Sequence, residues 1–176
     1  MTFVVDGTNG LTFNDATTQS STATNASNIS SGTLGRARLP TGSVLQVVQG
    51  TSNTSINTTS GAYITTGLTA SITPSSSSSK ILVLVNGASA FNNSANNQIS
   101  LAIFRGATNL HAAAGGFGGQ IYSTATIETT MSMMILDSPA TTSSTTYTVY
   151  FAAVSGSVTF NVNSGNSYII LQEIAA

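Results

Sequence analysis

Apolar and polar residues exchange places at every second position over much of this chain, and that alternation restricts the fold more than any other feature. In SVTFNVN, residues 157–163, Val158, Phe160 and Val162 are separated by Thr159 and Asn161. TTYTVYFAAV puts Tyr147, Val149 and Phe151 on one face, and TIETTMSMMIL does the same with Ile127, Met131, Met133 and Ile135. A period of two belongs to a strand with one buried face. ILVLV, residues 81–85, is apolar at every position, which predicts a strand buried on both faces. Further strand segments are SVLQVVQ, AYITT and LTASI around Gly67, QISLAIF and YIILQEI. Turn signals stand between them: Pro74 with SSSSSK, NNSANN, GATNL, the glycine-rich HAAAGGFGGQ, Gly156 and NSGNS. No window combines helical periodicity with caps. The expectation is an all-β fold, an antiparallel sandwich or barrel of eight or nine strands.

Charge is scarce. Charged residues make up 5% of the 176 residues, against roughly 25% in an ordinary soluble domain. The basic residues are Arg36, Arg38, Lys80 and Arg105, too few for a nucleic-acid footprint. Cysteine is absent, which excludes disulfides and thiolate metal sites. The start, MTFVVDGTNG, lacks a basic segment followed by a long apolar one, so no signal peptide is expected. ILVLV is too short to span a bilayer, and a soluble chain without membrane insertion is expected. Strands without charged guards expose edges that invite association. Closure of the sheets or packing against copies of the same chain would hide them.

Residues 1–43 and 44–176 differ in texture. The first part holds two apolar clusters, FVV and LTF, joined by DGTNG, whose Asp-Gly and Asn-Gly pairs suit a tight turn. A small hairpin is expected there, marginal by itself and in need of partners. A polar tract follows, interrupted by Ile29, Leu34 and Leu39 at a spacing that fits neither strand nor helix. The second part, from Val44, is the strand-rich domain.

GTNGLTFNDATTQSSTA, residues 7–23, resembles the opening of bacteriophage virion fibre proteins. NISSGTLGRARLP, residues 28–40, resembles the piece that joins shaft to head in phage tail fibres. TGSVLQVVQGT, YITTGLTASITPSSSSSKILVLV and the ending YIILQEIAA are similar to carboxy-terminal heads of cyanophage and other marine phage fibres. The resemblance implies a homotrimer with a short extended N-terminal shaft, residues 1–43, and a jelly-roll-like β-sandwich head, residues 44–176. It implies a virion protein, a short fibre or spike, exposed on the particle. Its first segment would attach to another virion protein through Phe3, Val5, Leu11 and Phe13. The alternative is a capsid decoration that stabilises the particle.

The candidate receptor site is a set of amides and rings. Asn92, Asn93, Asn96 and Asn97 supply donors and acceptors, and Phe117 and Tyr122 supply faces for a host-surface glycan. His111 is the sole histidine and a weak metal candidate if three copies meet; otherwise it is a turn residue. No cofactor is expected. The acids Asp6, Asp15, Glu128, Asp137 and Glu173 are scattered without the spacing of a catalytic pair. Glu173 is expected to point outward, Asp137 to sit in the LDSP turn, and Glu128 to pair with Arg105 at the surface. No G-x-S-x-G elbow occurs, and GGFGG lacks the lysine and helix of a phosphate loop. No enzyme is expected; cleavage of surface polysaccharide is the least favoured reading. The methionines of TMSMMIL are expected to pack in the core, with an interface between copies as the alternative.

Overall fold

The computed structural model describes residues 4–6, 10–12, 18–19, 35, 38–92, 97–112, 118–162 and 165–176, with backbone alone for 4–6, 10–12, 18–19, 88–92 and 97. The chain divides into two compact units, Met1–Arg38 and Leu39–Ala176. Among the described residues all regular structure is β.

The first unit contains β1 (Val4–Asp6), β2 (Gly10–Thr12) and β3 (Thr18–Gln19) in an antiparallel sheet of that order. Val5 lies opposite Leu11 and Asp6 opposite Gly10, so DGTNG joins the two strands of the expected hairpin. Phe3 and Phe13 lie outside the described residues.

The second unit is built on eight longer strands: β4 (Val44–Ser52), β6 (Ile64–Ile72), β7 (Lys80–Asn92), β8 (Asn97–Arg105), β10 (Gly119–Ser123), β11 (Ile127–Asp137), β12 (Thr145–Ser155) and β14 (Ser167–Ile174). Shorter strands β5 (Ile56–Thr58), β9 (Thr108–Asn109) and β13 (Val158–Phe160) add to them. One sheet runs β4-β14-β7-β11, with β13 and β5 extending it beside the second half of β7. The other runs β6-β12-β8-β10, with β9 on β8. All pairs are antiparallel. The pairing is nested: β4 meets β14, β6 meets β12, β7 meets β11, and β8 meets β10.

The core lies between the sheets. Ile81, Val83, Val85, Ile169 and Leu171 enter from one, and Leu68, Ile72, Ile99, Leu101, Ile103, Tyr147, Val149 and Phe151 from the other. The inward positions on β11 are Met131, Met133 and Ile135, as the alternation predicts; Ile127, at the strand's start, is exposed. AYITT and LTASI form one strand, β6, rather than two segments. Gly67 takes φ +72°, and the strand holds a bulge there opposite Val149, with the Thr66 hydroxyl donating to the Val149 carbonyl at 2.7 Å. The alternation in SVTFNVN stops at Phe160, because Asn161 turns to φ 58°. β7 departs from expectation in another way. Ile81, Val83 and Val85 are buried, but Leu82 and Leu84 face outward and are only half-buried.

Candidate interaction surfaces

Glu173 is 0% exposed and points inward with Ile169 and Leu171, contrary to the outward expectation. Its Oε1 accepts from the Ser75 backbone N–H (2.7 Å) and hydroxyl (2.6 Å), and its Oε2 from Gln46 Nε2 (2.6 Å). Gln46 also donates to the Thr73 carbonyl at 2.7 Å. The carboxylate therefore anchors the serine-rich turn to the edge of the sheet. Burial pushes its pKa up, but the hydrogen bonds from Ser75 and Gln46 outweigh this and hold it below the usual glutamate value.

Arg105 pairs with Asp137, at 2.8 and 2.7 Å to the two carboxylate oxygens, and not with Glu128 as the sequence suggested. Asp137 ends β11 rather than sitting in the turn beyond, and also accepts from the Tyr147 hydroxyl at 2.7 Å. Burial, then the Asp137 hydrogen bond and charge, push the Tyr147 phenol far above its ordinary value, with Arg105 pulling the other way. Both acids thus tie strands together.

The His111 ring accepts the Ile103 backbone N–H on Nδ1 at 3.2 Å, while the His111 backbone N–H donates to Asn109 Oδ1 at 2.9 Å. Burial lowers its pKa and favours the neutral ring that this bond requires. Gly118 lies against the ring so closely that a Cβ would meet it at 2.6 Å. His111 is packed as a turn residue, and among the described residues no three His, Asp or Glu side chains gather as metal ligands would.

Of the glycan candidates, Asn92, Asn97 and Tyr122 lie on described strands. Asn92 closes β7 and Asn97 opens β8, so their loop crosses between the sheets. Ser123 lies opposite Asn97 and Tyr122 opposite Gln98, which sets Tyr122 one strand away from the asparagine loop. The Tyr122 side chain is 61% exposed. Asn93, Asn96 and Phe117 lie outside the described residues, as do the side chains of Asn92 and Asn97. Nothing in the local alternation signals that β10 carries Tyr122 to that loop; only the β8–β10 register does.

The outward faces of the two sheets differ in chemistry. On β6-β12-β8-β10 the Thr69 and Thr148 hydroxyls meet at 2.9 Å, Ser71 and Thr146 at 2.7 Å, and Gln120 donates to Ser100 at 3.1 Å. Phe104 sits between Tyr150 and Tyr63, with ring centroids at 4.4 and 5.5 Å. On β4-β14-β7-β11 the register aligns two rows across the strands. One row is Leu136, Leu82, Gln172 and Val47; the next is Met134, Leu84, Ile170 and Gln49. Met134 is 72% exposed, Val47 57% and Leu136 52%. At the upper end of these rows a bulge at Asn86–Gly87 faces Ser132, whose hydroxyl donates to Asn86 Oδ1 at 3.1 Å. This opens a groove of about 350 Å³ lined by Leu84, Asn86, Ser132, Met133, Met134 and Ile170. The composition of TMSMMIL hides this split: Met131 and Met133 are core residues, while Met134 faces out.

No protein-family model matches the chain, and no curated protein matches it.

Proposed function

We propose that this protein is a structural component of a bacteriophage virion, a short trimeric fibre or spike whose head recognises a host-surface glycan. The carrying observation is the nested order of the eight long strands, four to a sheet as β4-β14-β7-β11 and β6-β12-β8-β10. This nested pairing supports reading the domain as a jelly roll, an architecture suited to capsid and lectin-type domains. It supports the head expected from the resemblance of residues 41–51, 63–85 and 168–176 to phage fibre heads. The first unit, with Val5 and Leu11 paired across β1 and β2, is the segment that docks on another virion protein.

In this reading the asparagine loop between β7 and β8, with Tyr122 beside it and Phe117 in the glycine-rich loop, contacts sugar hydroxyls and a sugar face. Three weak sites on one trimer reinforce one another through avidity. Purified protein incubated with bacterial surface polysaccharides, lipopolysaccharide included, is expected to bind saturably, and Tyr122→Ala to weaken binding. Absence of saturable binding overturns the receptor role. Electron microscopy of virions labelled with antibody to this chain locates it: label at the tail supports the fibre, and label on the capsid faces replaces it with a decoration protein.

A further inference from the structure

We infer that the outward face of the β4-β14-β7-β11 sheet is the surface through which copies of this chain pack against one another. The inference rests on the trimeric reading above and gives it a location. Three observations converge on it.

First, β7 is apolar on both faces from Ile81 to Val85, and the described residues bury one of them in the core. Leu82 and Leu84 stand at the centre of the outer face, flanked by Leu136, Met134 and Ile170. A strand of this composition is suited to burial on both sides.

Second, the face is almost free of charge. Lys80, at one border beside Ile174, carries the charge nearest to it on β7. Glu173 points inward, and Asp137 and Arg105 neutralise each other. A charged partner would find a single cation here, Lys80 at the border, and a sugar would find few donors. The same largely apolar face on another copy is compatible with it in polarity.

Third, the size is right for an interface core. Strands about 4.8 Å apart and residues rising about 3.3 Å give the patch, from β4 to β11 and from Lys80 to Asn86, roughly 400 Å² in projection. This footprint includes the polar Gln172 and Gln49 among the apolar side chains. A standard interface takes about 800 Å² of accessible surface per partner, with an apolar centre and a polar rim. Gln49, Thr51, Asn86 and Ser132 border the patch and would form that rim. The most exposed apolar side chains, Met134, Leu136 and Val47, lie on β11 and β4, the outer strands of the four. Packing copies on this face covers those strands too; β4 has no charged residue, and on β11 Glu128 stands near the far end from Met134 and Leu136. The groove beside Met134 would receive a side chain from the adjoining copy.

The chain has no cysteine, so a single introduced thiol reports the environment of one position. In the full-length protein, Met134→Cys is expected to react with a maleimide at least about tenfold more slowly than Val154→Cys, an exposed position in the other sheet, because a packed interface core excludes the reagent. Both should react fully after denaturation. Met134→Glu is expected to lower the mass measured by light scattering to that of one chain while the far-ultraviolet β signal is kept. Met134→Leu should leave the mass unchanged. An oligomeric parent with equal thiol rates, or with unchanged mass in folded Met134→Glu, overturns this face and leaves the trimer standing. A monomeric parent overturns the trimer and the face together.

Discussion

Glu173 has the environment least expected of a carboxylate in a chain with five acids. It is inside, and three hydrogen bonds from Ser75 and Gln46 replace the water it gave up. Because its folded pKa lies below the ordinary value, it contributes stability that is fully present above the unfolded value of about 4.5 and is lost as pH falls through the folded one. Glu173→Gln is expected to cost about 1–3 kcal/mol in urea unfolding at neutral pH, the range for hydrogen bonds to a charged group. The same variant should flatten the acid limb of the stability profile. Tyr147 gives the opposite sign. Its raised pKa means the folded state favours the neutral phenol, so its contribution is intact below about pH 10 and declines as pH rises further. Tyr147→Phe should remove that alkaline decline, read as melting temperature against pH. Glu173 shares the parity of Ile169 and Leu171, so its inward direction was available in the alternation. Its tolerance there was not, because the donors that satisfy it lie about 100 residues away in the chain.

Among the elements, β4 and β6 decide how the sandwich closes along one side. Gly50 of β4 faces the Thr69 carbonyl of β6 with no room for a side chain: a Cβ would fall on that oxygen and 2.9 Å from a methyl of Ile169. Gly50→Ala should force the strands apart and cost about 1–3 kcal/mol, as overpacking does, measured by chemical denaturation. The variant should not alter the far-ultraviolet spectrum. Sequence periodicity located β8, β11, β12 and β14 well, and the first half of β7, since each alternates or is apolar throughout. It divided β6 at Gly67, where the glycine marks a bulge within one strand. A bulge keeps the inward parity of Thr66 and Leu68 while adding residues against the partner strand, and that count exists only relative to β12.

For the whole molecule, the nested order makes β4 and β14, at opposite ends of the second unit, direct neighbours. Such pairing requires long loops to close before contacts compensate, so refolding is expected on a millisecond-to-second scale or slower in stopped-flow measurements. If copies associate through the aliphatic face, the melting temperature should rise with protein concentration, because association stabilises only the folded chain. A melting temperature constant over a hundredfold dilution would argue for a solitary molecule. The amino-acid order alone determined that the chain is β-rich, which residues of most strands face inward, and that β7 is apolar on two sides. These are local properties, set by the two-residue repeat of the extended backbone. The tertiary structure alone decided which strands are neighbours, that Glu173 and Asp137 are held by remote partners, and that Met134, Leu84 and Ile170 line one groove. Strands rich in valine, threonine and isoleucine are nearly interchangeable as partners, so the choice among them is made by packing across the sandwich.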